Sequence, residues 1–162
     1  MLIFLGIGSN LGDKTANMQR AVCQIDDCMG QVCWMSDVIN TAPWGYQSEN
    51  DYLNQVVLIH TDLNATDLLW RAKEIERGLG RTQKSEQHGD RVVYHDRTID
   101  IDILLAFRCD NISELASYPD ITSLVEHSVS VNSADLTIPH PLLMQRDFVT
   151  IPLQQFLNEH KQ

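Results

Sequence analysis

Apolar residues along this chain switch period several times, and the order of the switches limits the fold more than any other feature. Leu2 to Ile7 is a short continuous apolar run that stops at Gly8, as a buried strand would. Met18, Ala21, Val22 and Ile25 then recur at helical spacing, which predicts a helix from about Asp13 to Met29 with Gly30 as its stop. Val32 to Thr41 is rich in β-branched and large apolar residues and predicts a second strand. Tyr52 to Thr61 predicts a third, centred on Val56, Val57, Leu58 and Ile59. Asn64 is placed to cap a second helix, with Asp67 three residues on. Leu68, Leu69, Ala72, Ile75 and Leu79 form its apolar stripe, and Gly78 and Gly80 end it. Thr98 to Phe107 predicts a fourth strand. The order βαββαβ predicts an α+β, ferredoxin-like core: an antiparallel sheet with helices packed on one face, plus a C-terminal extension. With 162 residues, 43% of them hydrophobic, residues 1–162 suit a single domain with a core of its own.

The connections are as informative as the elements. Ala42 to Asp51, with Pro43 and Gly45, reads as a loop. Thr82 to Asp96 is polar and mixed in charge. It reads as a long mobile loop, and loops of that length are usually functional; here it is expected to close as a lid. Arg108 to Asp135 has no strong period and reads as an irregular insertion, and deletion of most of Asp110 to Ser133 is expected to leave activity intact. The tail, with Pro139, Pro141 and Pro152, is expected to end in a short helix.

A formal net charge of −10 repels nucleic acid and anionic lipid, which excludes both as expected partners. It repels ATP as well, so an ATP-binding chain of this kind needs a divalent metal and a local basic cluster. No run reaches membrane-spanning length, and Met1 to Ile7 lacks the features of a signal peptide. A cytoplasmic location is expected, and the four cysteines (Cys23, Cys28, Cys33, Cys109) then read as buried free thiols.

The strongest chemical signal is Asp100-Ile101-Asp102. Side chains alternate along a strand, so the two carboxylates share a face, roughly 6–7 Å apart at Cα. Ile99, Ile101 and Ile103 take the other face. Carboxylates so spaced can hold two magnesium ions about 4 Å apart across a polyphosphate. A lone Asp-x-Asp is more often a solvated sheet face, but Arg97 just upstream could reach the same phosphates. Gly6, Gly8 and Gly12 do not match a dinucleotide fingerprint and read as a tight structural turn. Tyr52 and Asn54 share a strand face, where an aromatic plate beside an amide suits a flat heterocycle. Phe148, His140 between two prolines, and Glu76 beside the stripe of the second helix are each ordinary structural residues when taken singly.

Taken together and in order, these segments resemble one family. Gly6 to Gly12, Thr41-Ala42-Pro43-Trp44-Gly45, Asp51-Tyr52-Leu53-Asn54, Ile75-Glu76 through Gly80-Arg81, Asp96 to Leu104, Ile138-Pro139-His140-Pro141 and Arg146-Asp147-Phe148 resemble the 6-hydroxymethyl-7,8-dihydropterin pyrophosphokinases of folate biosynthesis. The resemblance implies transfer of pyrophosphate from ATP to a pterin hydroxymethyl group, with release of AMP. It implies two magnesium ions on Asp100 and Asp102, and a pterin ring held by Tyr52 and Phe148 with Asn54, Thr41 and the backbone near Trp44. It implies ATP contacts from Glu76, Arg97, His140 and Arg146, with Arg81 reaching the phosphates from the loop. Catalysis would rest on Arg81, Arg97, Asp100 and Asp102 in a monomer.

The chain departs from the family pattern in three places. Pro141 stands where a tyrosine is common, and Tyr94-His95-Asp96-Arg97 replaces Trp-Gly-Pro-Arg. Gln83 takes the place of a second loop arginine, leaving Lys84 as the nearest cation and a further expected ATP contact. Two rival readings stay open at this level. One is metal-dependent nucleotidyl transfer on a ferredoxin-like palm; the other is a pterin-binding module without activity.

Overall fold

The computed structural model describes residues 1–82, 86–88 and 91–161, with backbone alone for 86–88 and 91–93. Strand β1 (Leu2–Ser9) leads into helix α1 (Lys14–Cys28), which Asp13 caps by accepting the Ala16 N–H. Strands β2 (Gln31–Met35), β3 (Ile39–Thr41) and β4 (Tyr52–His60) follow. Helix α2 (Ala65–Gly78) begins at Asn64, whose side chain accepts the Asp67 N–H as the sequence predicts. After β5 (Glu86–His88), β6 (Arg91–Val93) and β7 (Asp100–Phe107) come short helices α3 (Ile112–Ala116) and α4 (Ile121–His127). Strands β8 (Val131–Asn132) and β9 (Thr137–Ile138) precede a 3-10 turn at Leu143–Gln145 and the terminal helix α5 (Asp147–His160).

Among these residues the main sheet runs β2-β4-β1-β7, every pair antiparallel, with β3 also on β4. That is the strand order of a ferredoxin-like core. Helices α1 and α2 cover one face and bury Ile3, Leu5, Ile7, Val57, Ile101 and Ile103 beneath them. The C-terminal extension reaches the opposite face, where α5 packs over Phe4, Leu58 and Leu105 through Leu153 and Phe156.

Four local expectations need correction. The predicted strand over 32–41 is broken at Ser36, whose hydroxyl and carbonyl take hydrogen bonds from Val56 N–H and the Gln55 amide. Its two halves pair with β4 in different registers. Of the 82–96 loop expected to act as a lid, residues 83–85 and 89–90 lie outside the described residues, and strands β5 and β6 pair within the rest. Residues 108–135 are not irregular: Leu115 on α3 and Leu124 on α4 are fully buried in the core beneath α5. The cysteines are free thiols, but Cys23 is exposed and the other three are half-buried.

Candidate active site

Alternation along β1 and β7 builds the floor of the site. Gly8 lies opposite Asp100, and Gly6 opposite Asp102, while on the other flank Gly8 lies opposite Asn54. These residues therefore share the sheet face that α5 covers only in part. Gly6 and Gly8 are not a turn, as their spacing suggested; both sit within β1, paired on each side, and only Gly12, with φ +72°, turns the chain. Their role is clearance. A Cβ on Gly8 would stand 3.0 Å from Asn54 Oδ1 and 3.5 Å from the Tyr52 ring, and one on Gly6 would stand 3.3 Å from Leu104. The two glycines line the cleft and leave its floor clear of side chains.

The end of the floor is set by a β-bulge. Pairing between β1 and β7 shifts between Phe4 and Leu5, so Leu104 and Leu105 both face the second core. The Leu104 carbonyl accepts the His140 N–H at 2.9 Å, which hangs the Pro139–Pro141 segment beside the carboxylates. Leu142 N–H donates to His140 Nδ1 at 3.1 Å. The neutral ring therefore carries its proton on Nε2, 3.9 Å from Asp102 Oδ2. Burial holds the imidazole below its ordinary pKa.

Charges alternate in sign across the floor. Asp100 accepts from Arg97 at 2.8 Å and from Arg81 at 2.7 Å, and Asp102 accepts from Arg146 at 3.0 Å. Arg81 also reaches Glu76 at 2.6 Å, and Glu76 accepts the Ile101 N–H at 2.8 Å, fixing this carboxylate to the strand between the two aspartates. Burial alone would raise the Asp100 pKa, but Arg97 and Arg81 overcome it and hold it below the usual range. Asp102 is raised, first by burial and then by the charge of Asp100. Glu76 is pushed up to about 7 by burial and by Asp100, against the pull of Arg81. Three carboxylates facing three arginines make a cluster of nearly balanced charge.

Aromatic side chains and amides make the other wall. Thr41, Trp44, Tyr52, Asn54 and Phe148, the residues the resemblance implied for the pterin, all line the cleft with Asp100 and Asp102. Asn54 donates to Thr41 Oγ1 at 2.7 Å. The Arg146 guanidinium lies 4.9 Å from the Trp44 ring centre and 5.6 Å from that of Phe148, joining the charged wall to the aromatic one. Arg97 and Arg146 line the cleft, whereas Arg81 and His140 reach it through the aspartates and Glu76 through Arg81. Lys84 lies outside the described residues.

Sequence reasoning missed three residues here. Asn10 sits among glycines, Tyr46 lies just past Trp44 in a loop, and Asp96 is one charge among several in the sequence. In the fold, Tyr46 lines the cleft, its hydroxyl 2.8 Å from that of Tyr52, and its ring stacks on Tyr94 at 6.0 Å. Asn10 accepts the Arg97 N–H at 2.8 Å and donates its own N–H to the Arg97 carbonyl at 3.1 Å. Asn10 and Asp96 lie inside matched segments and Tyr46 just past one, and that was their only sequence signal.

Comparisons with known proteins identify the family and the fold. Residues 4–158 match the family described as 7,8-dihydro-6-hydroxymethylpterin-pyrophosphokinase (HPPK). A 2-amino-4-hydroxy-6-hydroxymethyldihydropteridine pyrophosphokinase of Porphyromonas gingivalis is 39% identical over 154 residues, covering 94% of this chain and 88% of that protein. One from Bacillus subtilis is 30% identical over 159 residues, covering 98% of this chain and 79% of its own length. A solved HPPK-DHPS structure in complex with substrates superposes with a TM-score of 0.54 at 11% identity. It covers 98% of this chain, which spans only 43% of that longer one, so it speaks for the fold. With the family matched along nearly its whole length, this chain belongs to the 7,8-dihydro-6-hydroxymethylpterin-pyrophosphokinase family.

Proposed function

We propose that the cleft binds ATP and 6-hydroxymethyl-7,8-dihydropterin side by side and moves the pyrophosphate group from the first to the hydroxymethyl oxygen of the second, releasing AMP. Family membership makes the chain an ATP-dependent pyrophosphokinase of folate biosynthesis. The observation that carries the residue assignments is the meeting of two walls: a carboxylate–arginine floor and an aromatic–amide pocket with Asp100 and Asp102 at their junction.

Tyr52, Trp44 and Phe148 offer aromatic surface to a pterin ring, and Asn54 and Thr41 offer donors and acceptors to its edge. Arg97, Arg81 and Arg146 lie where charge on a transferring diphosphate would be offset, and Glu76 and His140 hold the surroundings of the aspartates. Magnesium fits this floor: it commonly takes one or two carboxylates and completes its shell with phosphate oxygens and water. Asp100 and Asp102 would hold it, two ions being the expected number, and bound magnesium supplies neutralisation of the polyphosphate. The pair of guanidinium groups on Asp100 makes that carboxylate a weak base. Positioning of the alcohol against the β-phosphorus accounts for most of the remaining rate.

Among the described residues, no helix is long and apolar enough to cross a membrane. We read the protein as a cytoplasmic monomer acting on small molecules without nucleic acid. The test is incubation with ATP, magnesium and the hydroxymethyl-dihydropterin: AMP should appear only when the pterin is present. Tight pterin binding without AMP, or AMP independent of pterin, overturns the reading.

A further inference from the structure

Asp96 ties the turn after β1 to the 42–51 loop. Both carboxylate oxygens are fully engaged. Oδ1 accepts from Asn10 Nδ2 at 2.8 Å and from the Tyr46 hydroxyl at 3.0 Å. Oδ2 accepts from Ser48 Oγ at 2.9 Å and from Asn50 Nδ2 at 2.6 Å. Four neutral donors converge on one carboxylate, and they come from two separate segments: the turn after β1 and the 42–51 loop. Burial would raise the pKa of Asp96, yet these hydrogen bonds pull it below the ordinary range, so the group is ionised at neutral pH.

The network then divides toward the two halves of the cleft. On the phosphate side, Asn10 brackets the backbone of Arg97 with its own N–H and its Oδ1 while its amide holds Asp96. The Arg97 guanidinium is thereby aimed at Asp100. On the aromatic side, Tyr46 has a single hydroxyl proton. It goes to Asp96, so Tyr46 accepts from Asn10 and from Tyr52 with its lone pairs. The hydroxyl of Tyr52, the expected pterin plate, is oriented through Tyr46 by Asp96.

We propose that Asp96 is a positioning residue that locks the phosphate and pterin subsites to one another, through Asn10 to Arg97 and through Tyr46 to Tyr52. The inference rests on the pyrophosphokinase reading and adds the device by which this chain fixes the distance between its two substrates. The charge matters as well as the shape. An amide at this position has one acceptor oxygen for four donors, so Asp96→Asn leaves two of them facing an NH₂ group.

The test compares wild type, Asp96→Asn, Tyr46→Phe and the double variant in the same AMP-release assay, with active sites titrated and thermal unfolding recorded. Asp96→Asn should lower kcat by about 10- to 100-fold, as expected for misplacing reactants by a fraction of an ångström, and raise KM for both substrates. Tyr46→Phe should raise KM for the pterin and leave KM for ATP near the wild-type value. The double variant should be little worse than Asp96→Asn alone, because the tyrosine acts through the carboxylate. Multiplicative losses in the double variant overturn the proposal. So does an Asp96→Asn protein whose titrated sites show wild-type constants, since its effect would then be on the folded fraction only. Pterin-dependent AMP release by wild type alongside an unchanged Asp96→Asn rejects this inference alone. No release by wild type rejects it together with the pyrophosphokinase reading.

Discussion

The two faces of the central sheet are made from the same strands and differ by one residue in phase. On the face under α1 and α2, Ile7, Ile101 and Ile103 are almost fully buried and the layer is sealed. On the opposite face, the neighbours Gly8, Asp100 and Asp102 lie under a cleft, because α5 and the α3–α4 segment stop at Leu104 and Val149. The comparison teaches that the site is the part of the second face that the C-terminal extension leaves open. Strand alternation supplies both a core and an active-site floor without any extra element. It also predicts which substitutions damage chemistry and which damage the fold.

The largest effect should come from the open face. Asp102→Ala should lower pterin-dependent AMP formation by on the order of a thousandfold or more, while unfolding free energy changes by less than about 1 kcal/mol. Kinetics and denaturant titration on one preparation check this; retained turnover would end the assignment of the floor. One residue along, on the sealed face, the balance should reverse. Ile103→Ala should cost about 2–5 kcal/mol of stability and leave kcat of the folded fraction near wild type. Leu124→Ala, in the core beneath α5, should cost about as much. The same logic reverses the expectation that residues 110–133 can be removed, because deletion would strip Leu115 and Leu124 from that core. A Leu124→Ala protein as stable as wild type would show that the second core is looser than the first.

A smaller change should follow from Gly8→Ala. The added methyl meets Asn54 and Tyr52, so KM for the pterin should rise by roughly 5- to 100-fold, the equivalent of an overpacking cost of about 1–3 kcal/mol. KM for ATP is the internal control, and an equal rise in both would move the pterin away from β1.

The smallest effect is a slope. Glu76, at about 7 in the folded protein against an ordinary 4.5, holds its proton more tightly folded than unfolded. Its contribution to stability is therefore full below about pH 4.5 and is lost as pH rises toward 7. Glu76→Gln should remove that part of the decline, an amount on the order of 1–3 kcal/mol between pH 4.5 and 8. Unfolding of the metal-free protein across this range measures it; parallel curves for the two proteins would reject the raised pKa.

How much of this was legible beforehand depends on distance along the chain. The Asn64 cap, the stripe of α2 and the pairing of Asp100 with Asp102 on one face are fixed by neighbours within a few residues, and the sequence displayed them. The residues lining the aromatic wall were legible through resemblance, since whole segments travel together. The sequence by itself therefore determined the order of the βαββαβ core elements, the face that Asp100 and Asp102 share and the chemistry of the matched segments. Tertiary structure alone decided the bulge at Leu104 that lets His140 hang beside Asp102, and the clearance above Gly6 and Gly8. It also decided the convergence of Asn10 on Asp96 from 86 positions away. Periodicity and capping act over one or two turns of chain, whereas a hydrogen bond between distant loops exists only after the sheet has chosen its partners and registers.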